Sequence, residues 1–465
     1  MAPTLQASRQ GGTDSVGDQL AVQPSGAAAA ASTPGSTAPV GGHVQAGPTA
    51  SAGGSSYQGV VSGLAGPVTA PLVLGILSSG TANTAAAAIG ANYSTSTSGT
   101  EVTRALVRAF NKQGGIAGRQ IRPVEYTIDV TSPNYVVEVQ AACATFTQDN
   151  HVAAVISVIA NAYYANYEEC LTKAGVTDFS GPTGGTDDHD FSVFPGLVSV
   201  SAPSTNRRFS TMLERFVSSG YLTRSSKIGI AVETCPYNVR AYDTTVAPVA
   251  KRLGLTLIRR DVSCVQGFQD AGAYIQGVGA MVLPFRTEGV DRVMFLSNFE
   301  GVGLLAFENV ASNQGYTPSY ALTSTTGGAS LAGQFNASQL KRMRGVGWTP
   351  VLDIGRRVLA SSSTKRCRTM LASEGIRPAS KADDLLDIVC DQFFALEATL
   401  LKARGASGRQ DLLHGLQLLG TSYVSPYTLQ GATDYGTRRD GPRLFAEWGY
   451  RAACGCMDYL SRPAP

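Results

Sequence analysis

Hydrophobic positions in the first ordered part of the chain form short continuous runs separated by stretches with helical spacing. The run from Leu72 to Ser79 is apolar throughout, which is typical of a strand buried on both faces of a parallel sheet. Apolar residues then recur at intervals of three and four residues, and Ser98 or Thr100 can cap the helix that this spacing predicts. The chain therefore opens its ordered part with a strand and a helix.

The stretch from Asn111 to Asn134 continues this alternation. Gly114-Gly115 is expected to end the helix, because glycine adopts the left-handed turn at low cost. QIRPVEYTID predicts a strand, and its proline favours a place near the strand start or at a sheet edge. Ser132-Pro133 then indicates the start of a second helix.

The same alternation runs on and restarts once. Two series of strands separated by helices predict two parallel sheets, each covered by helices, so the fold class is α/β. A long helix is expected near 381–403, and the tail after Tyr423 is turn-rich with short strands. The further predicted strands are 152–158, 177–181, 227–233, 255–262, 291–297 and 320–324.

Composition separates residues 1–70 from the rest. They are rich in Ala, Gly, Ser, Thr and Pro and nearly free of charged and aromatic residues, so they cannot bury enough apolar surface to fold. We predict a disordered tether. The opening MAPTLQASRQ has no basic region followed by an apolar core, so a signal or lipid-anchor segment is not visible in this chain.

Charge argues against a nucleic-acid partner, and hydropathy argues against a membrane-spanning helix. Charged residues make up 15% of the chain and the formal net charge is +3, with no dense basic cluster, which argues against a nucleic-acid partner. No apolar run approaches the about 20 residues of a membrane helix.

The eight cysteines favour disulfides and an oxidising compartment over free thiols in a cytosolic protein, because their number is even and they form no CxxC pair. The four histidines have no metal-pair spacing, so no metal is expected. Cys235 and Cys264 follow consecutive strands, which would lie about 4.8 Å apart as neighbours, and we predict that they pair. Proximity in sequence favours a bridge between Cys367 and Cys390. Cys454 and Cys456 form a tight ring or take other partners.

The motif at 111–119, Asn-x-x-Gly-Gly-Ile-x-Gly-Arg, with the strand ending at Asp129 and the following QAACATFTQDNHVAAVIS, resembles type I periplasmic binding proteins. More narrowly, it is similar to solute-binding proteins of branched-chain amino acid (Leu/Ile/Val) ABC transporters. The resemblance covers Pro71 to Tyr459. It also implies a first-lobe bridge between Cys143 and Cys170.

The resemblance implies two doubly wound parallel-sheet lobes joined by a three-crossover hinge, with a ligand held in the cleft between them. The first lobe is placed at 71–200 plus 325–420, and the second at 201–324 plus 421–465. Ligands of open parallel sheets bind outside the carboxyl ends of the strands, which independently favours a site in this cleft. The loops after each strand therefore supply the candidate ligand-binding residues.

Candidates in the first lobe are hydroxyls, a helix start and a loop that resembles the ligand-carboxylate loop of the family. In the second lobe, an aromatic platform and an acid for a ligand ammonium are expected, with Glu300 favoured as that acid. Capping, turn formation or a solvated acid at a helix start are the alternative readings. The candidates are Ser79, Thr81, Asn161, Ser180, Gly181, Thr183, Tyr237, Asn238, Asn298, Phe299 and Glu300.

Signals of catalysis are weak. The sequence contains no G-x-S-x-G, H-E-x-x-H or P-loop motif. Gly301 to Ala306 imitates a dinucleotide fingerprint but lacks the acid about 20 residues on, so no cofactor is expected. His189 lies in a polar stretch and is not predicted to be catalytic.

Together these features predict an exported, monomeric solute-binding protein that captures a small polar ligand, such as an amino acid or amide, by hinge closure. An ABC permease at the membrane is the expected partner. One alternative is a sensing domain of the same fold that acts with a receptor or regulator. Another is an enzyme that has adapted the cleft, which would need an acid beside His189 or a cysteine outside a disulfide.

Overall fold

The computed structural model describes residues 69–80, 96–158, 165–181, 185–355, 361–377, 384 and 386–465. The predicted tether lies outside these residues except for its last two positions. The strands are β1 Leu72–Ser79, β2 Ile121–Ile128, β3 Ala154–Val158, β4 Thr177–Ser180, β5 Leu197–Ser199, β6 Lys227–Glu233, β7 Thr256–Val262, β8 Arg292–Leu296, β9 Ser319–Thr323, β10 Met343–Gly347, β11 Ala446–Arg451 and β12 Cys456–Tyr459.

Helices cover both sheets. The α-helices are α1 Gly99–Lys112, α2 Tyr135–Ala144, α3 Ala165–Ala174, α4 Asp188–Val193, α5 Thr205–Ser218, α6 Pro236–Ala241, α7 Ala247–Arg252, α8 Ala271–Ala280, α9 Val282–Thr287, α10 Glu300–Asn313, α11 Gly328–Leu331, α12 Ala337–Leu340, α13 Pro350–Ile354, α14 Ser362–Ser373, α15 Asp387–Lys402 and α16 Arg409–Leu419. Two π-helical segments, Thr145–Asp149 and Tyr242–Val246, continue or join helices. Short 3₁₀ turns are Phe268–Asp270, Ser324–Thr326, Ala332–Gln334 and Leu429–Gly431.

The first sheet has the order β2-β1-β3-β4-β5, and its paired strands are parallel. The strand that contains Pro123 is an edge strand, as predicted. Ser98 caps α1 in a capping box with Glu101, which confirms one of the two predicted caps. The second helix begins at Tyr135 rather than at Pro133, because Ser132 bonds the Asn134 amide in a turn before it.

The Gly-Gly-Ile-x-Gly-Arg motif forms the tight turn between α1 and β2. Gly115 lies at φ +88°, and a Cβ there would be 1.9 Å from the carbonyl oxygen of Arg119. The guanidinium of Arg119 donates to the carbonyl oxygens of Ala70, Pro71 and Gly405. The motif therefore fastens the first described residues and the α15–α16 connection to the first sheet.

The second sheet has the order β12-β11-β10-β9-β8-β6-β7, with β11 and β12 antiparallel to their neighbours. This sheet corrects one predicted lobe boundary, because β10 pairs with β9 and residues up to Ile354 share its core. Residues 325–354 therefore belong with the second lobe. The helices α14, α15 and α16 pack against the first sheet.

The boundary at 421 is also shifted. The tail residues 446–459 complete the second sheet. Residues between Gly420 and Phe445 contact both lobes, since Tyr423 packs with the first-lobe core whereas Phe445 packs with the second. This segment is a connection and not part of one lobe.

All eight cysteines are paired in the structure. Three predicted bridges are confirmed, and the last two cysteines bond to each other in the tight ring left open by the sequence. The bridges are Cys143–Cys170, Cys235–Cys264, Cys367–Cys390 and Cys454–Cys456. Within the described ranges, no helix combines the length and apolarity that crossing a membrane would require.

Candidate functional site

The carboxyl edge of the first sheet presents small polar groups. Ser79 ends β1, and its buried hydroxyl has no hydrogen-bond partner. Ser180 ends β4 and is fully buried. Gln392 of α15 donates to the carbonyl oxygens of Ser157 at 2.6 Å and Phe179 at 2.8 Å, which holds the ends of β3 and β4 together. The described strand ends therefore present hydroxyl and amide groups, and the buried acid Asp178 of β4 accepts from the hydroxyl of Ser157 at 2.8 Å.

The carboxyl edge of the second sheet is organised by Glu233 at the end of β6. Its side chain is fully buried, and burial raises the pKa of its carboxyl. It accepts hydrogen bonds from the amide of Val265, the hydroxyl of Ser297, the amide of Asn298 and the side chain of Asn238. One carboxylate therefore fixes the loops that follow β6, β7 and β8.

The two edges meet at Gly185, which follows β4 in the first lobe. A Cβ at this position would lie 2.7 Å from Nδ2 of Asn298 and 3.3 Å from Cζ of Tyr237. Both residues belong to the second lobe, and Asn298 donates to the hydroxyl of Tyr237. Tyr237 is fully buried. The structure is therefore a closed arrangement of the lobes at this point.

Ion pairs also cross between the lobes. Arg240 of α6 contacts Asp187 at 2.7 Å and Asp190 of α4 at 2.6 Å. Burial, reinforced by the neighbouring Asp187, raises the pKa of Asp190 to about 7, although Arg240 opposes the shift. His189 lies between these acids in the sequence but is exposed. The acids of TDDHD therefore serve an interlobe contact.

Arg208 and Glu300 form the charged centre of the second-lobe edge. Burial lowers the pKa of Arg208 to about 10, and its guanidinium donates to the hydroxyls of Thr205 and Thr325. Glu300 accepts from the amide of Thr323 at 2.8 Å and from its hydroxyl at 2.5 Å. Burial raises the pKa of Glu300 to about 7. Its carboxylate ties α10 to the end of β9.

The predicted site residues that the structure describes, Glu300 included, lie mostly at the two sheet edges. Ser79, Ser180 and Gly181 stand at the first-lobe edge, and Tyr237, Asn238 and Asn298 stand at the second. Phe299 instead turns toward the second-lobe core, where its ring centroid is 6.1 Å from that of Tyr274. Thr81, Asn161 and Thr183 lie outside the described residues.

Sequence reasoning missed Gly185, Arg208 and Arg240. The available signals were weak. Gly185 follows the loop that resembles the family's carboxylate loop, and Arg240 lies two residues after Asn238. Arg208 belongs to the basic pair Arg207-Arg208, and such a pair is usually interpreted as solvent-exposed charge.

The lobes are joined by three crossovers. The first crossover connects β5 to α5. The second runs between Ile354 and Ser362, and its residues 356–360 lie outside the described part of the chain. The third is formed by residues 420–445. Asp391 of α15 accepts from the hydroxyls of Ser201, Tyr423 and Ser425 at 2.6–2.8 Å. This buried carboxylate therefore links the first and third crossovers to the first lobe.

Acidification is expected to stabilise the protein. Burial raises the pKa of Asp391, Asp353 and Glu300 to about 7 each, whereas unfolded carboxyls titrate near 4. The folded chain then holds more protons than the unfolded chain between pH 4 and 7. Each extra proton contributes about 1.4 kcal/mol per pH unit, so this stability is full below pH 4 and is lost as pH rises through 7.

Calorimetric melting at constant ionic strength checks this expectation. The melting temperature should rise as pH is lowered from 8 to 5.5, and Asp391→Asn should flatten part of the rise. A melting temperature that increases with pH over this interval would contradict the assignment of these carboxyls.

Two other features do not form a ligand site. Glu233, Cys235 and Cys264 have ligand atoms within 4.8 Å of one another, but the two sulfurs are bonded in a disulfide and cannot bind a metal. A surface hollow of about 620 Å³ beside the Cys143–Cys170 bridge is lined by residues of α2, α3 and the π-helical segment. It is formed by covering helices and not by the strand ends that meet between the lobes.

Comparisons with known proteins bear on the fold. No protein-family model and no curated protein matches the sequence. An ABC-transporter substrate-binding protein from Desulfitobacterium hafniense in complex with Leu has a TM-score of 0.56 and 15% identity, and the match covers 84% of this chain and 100% of that chain. A branched-chain amino acid ABC transporter protein from Thermus thermophilus with bound valine has a TM-score of 0.63 and 12% identity, with 85% and 97% covered.

A solute-binding protein of an ABC transporter from Rhodopseudomonas palustris HaA2, in complex with p-hydroxybenzoic acid, has a TM-score of 0.60 and 12% identity, again with 85% and 97% covered. These likenesses extend over nearly the whole of each solved chain. The protein therefore has the fold of type I periplasmic binding proteins, as the motif at 111–119 predicted.

Proposed function

We propose that the protein is an extracytoplasmic solute-binding protein that closes its lobes around a small polar ligand and delivers it to an ABC importer. The observation that carries this proposal is the meeting of the two carboxyl sheet edges, where Gly185 lies against Tyr237 and Asn298. The solved neighbours described with leucine, valine or p-hydroxybenzoic acid support it, since they bind small solutes on the same fold.

Closure is the mechanism that this geometry favours. A ligand that contacts both edges stabilises the closed state by its differential affinity for it. The polar side chains at the edges would orient the ligand, while Arg240 with Asp187 and Asp190 adds attraction between the lobes. Hydrogen-bonded strand ends and a hinge tied by Asp391 suit a rotation of whole lobes.

Export is supported by the four disulfides, which persist in oxidising compartments. The low-complexity residues 1–70 would let the folded part stand away from an anchor. An ABC permease is the proposed partner, and the binding protein is proposed to act as a monomer. In the adapted-enzyme alternative, a thiol nucleophile has no candidate, because every cysteine is disulfide-bonded.

The proposed contact residues are Ser79, Ser180, Gly181, Tyr237, Asn238 and Asn298, with Thr81, Asn161 and Thr183 retained as predictions from sequence. The first test is a thermal-shift screen against amino acids, amides, organic acids and polyols. A ligand should raise the melting temperature by several degrees, since binding stabilises only the folded state. X-ray scattering should then show a smaller radius of gyration with ligand. Failure of all such solutes to stabilise the protein would count against solute delivery.

A further inference from the structure

One of the four disulfides differs from the others in its exposure. Cys454 is exposed and Cys456 is half-buried at the turn between β11 and β12. Each of the other three bridges contains at least one fully buried cysteine, and these are Cys143, Cys235, Cys367 and Cys390. Thiol–disulfide exchange requires a thiolate to reach a sulfur of the bond. Among the eight cysteines, all of which lie in the described part of the chain, Cys454 is the one exposed residue, so its bridge is the most open to attack.

The same bridge contributes least to the stability of the fold. It closes a loop across a single residue, Gly455, whereas the other bridges join cysteines 23–29 residues apart. Disulfides stabilise proteins mainly by restricting the unfolded chain, and the restriction grows with the length of the closed loop. By reciprocity, a fold protects from reduction only those bridges that stabilise it. Little folding free energy therefore opposes the reduction of this Cys-Gly-Cys ring.

The hairpin that carries the ring is held together by other contacts. β11 and β12 pair from Trp448 opposite Tyr459 to Arg451 opposite Cys456, and the Arg451 guanidinium donates to the carbonyl oxygen of Tyr459 at 2.8 Å. Gly455 lies at φ +60°, a conformation that glycine adopts easily in a tight turn. The Cα atoms of the two cysteines are 5.2 Å apart. Once reduced, the two thiols therefore remain neighbours and can form the ring again.

A positive charge lies on the same face of the hairpin as one of the sulfurs. Arg451 and Cys456 stand opposite each other on antiparallel strands, so their side chains share a face. The charge of Arg451 favours the thiolate form of Cys456, and a sulfur that is stable as a thiolate leaves faster. Asp458, two residues further along, pairs with Arg451 at 3.4 Å and offsets part of this effect. Exposure and charge together assign Cys454 as the sulfur that is attacked and Cys456 as the sulfur that leaves.

The turn lies away from the proposed ligand cleft. β11 runs antiparallel to β10, with Ala446 opposite Gly347 and Gly449 opposite Arg344. The end of β11 that leads into the turn therefore lies at the amino edge of the parallel strands, whereas the cleft lies at their carboxyl edge. Chemistry at the ring is separate from ligand capture and does not depend on the proposed function.

We infer that Cys454–Cys456 is a thiol–disulfide exchange site that takes electrons from small thiols. A thiolate attacks the sulfur of Cys454, the S–S bond of the ring breaks, and Cys456 leaves with the electron pair as a thiolate. A second thiolate attacks the outer sulfur of the mixed disulfide and releases Cys454. Two thiols are thereby oxidised to one disulfide, and their protons pass to the two cysteines of the reduced ring. A small disulfide reverses the sequence.

The test treats the folded, fully oxidised chain with excess reduced glutathione at neutral pH, followed by alkylation and peptide mapping. Cys454 and Cys456 should be labelled at least about 100-fold faster than the other six cysteines. One oxidised glutathione should appear for each reduced ring, and adding oxidised glutathione should close the ring again. Acid quenching at early times should trap glutathione on Cys454, whereas an adduct trapped on Cys456 would overturn the assigned order of attack. Reduction of any other bridge as fast as the ring, or no reduction of the ring, would overturn the inference.

Paired variants separate this site from the structural bridges. Replacing Cys454 and Cys456 together with serine should abolish the fast labelling and leave the melting temperature within about 2 °C of that of the parent protein. The matched control replaces Cys367 and Cys390 with serine, which should lower the melting temperature and keep the fast labelling of the ring. Fast labelling that survives without the ring would show that another bridge reacts, which would contradict the inference.

Discussion

Gly185→Leu is expected to weaken ligand binding by about 100-fold or more, equivalent to about 3 kcal/mol, while both lobes stay folded. Even the first carbon of the new side chain would lie 2.7 Å from Nδ2 of Asn298 and 3.3 Å from the Tyr237 ring. Those groups belong to the opposite lobe and are fixed by Glu233 and by each other. The lobes would therefore have to stay apart, and a ligand could contact only one edge at a time.

Calorimetric titration with a ligand from the screen measures the loss, and X-ray scattering shows whether the ligand still compacts the protein. Gly333→Leu is the matched control, because Gly333 is exposed in the second lobe and a Cβ there meets nothing within 4 Å. An unchanged melting temperature would separate blocked closure from unfolding. If Gly185→Leu bound and compacted like the parent protein, the contact seen here would have no part in closure.

The buried strands could be predicted because each is a continuous apolar run between turn signals. Lys227–Glu233 has the predicted bounds, and the first strand likewise ends at Ser79. The short strand Met343–Gly347 was not predicted, since its sequence MRGVG contains two glycines and an arginine. Its place is set by tertiary pairing with Ser319–Thr323. Missing it moved the lobe boundary by about 30 residues.

The location of the candidate site could be predicted from the sequence, but the hydrogen-bond partners of its side chains could not. Fold topology places the functional loops after the strands, so Asn238 and Asn298 could be named from sequence. What each side chain bonds depends on residues that only folding brings near. Glu300 is engaged by Thr323, which is 23 residues away, and Arg240 meets an acid 53 residues earlier in the other lobe. From the sequence alone, Glu300 looks like an acid that is free to bind a ligand. In the structure its carboxylate instead accepts hydrogen bonds from Thr323 and holds α10 to the end of β9.

Gly115→Ala is expected to lower the free energy of unfolding by more than about 4 kcal/mol, which places it among the largest effects of a single methyl group. Gly115 and Gly114 share a backbone conformation that side chains rarely adopt, at φ +88° and +98°. The two positions differ in the room that is available for a Cβ atom. The added carbon at Gly115 would overlap the Arg119 carbonyl oxygen at 1.9 Å, whereas at Gly114 it meets nothing within 4 Å.

Relief of that overlap would open the turn. Ile116 and Arg119 exchange two backbone hydrogen bonds of 2.9 Å across it, and the Arg119 guanidinium holds three carbonyl oxygens beyond it. Gly114→Ala pays only the backbone strain, about 1–2 kcal/mol. Urea unfolding of the two variants compares them directly. Equal losses of unfolding free energy would mean that backbone strain alone explains why both positions are glycine. A loss at least twice as large for Gly115→Ala would show that the turn is shaped to bring Arg119 against the chain.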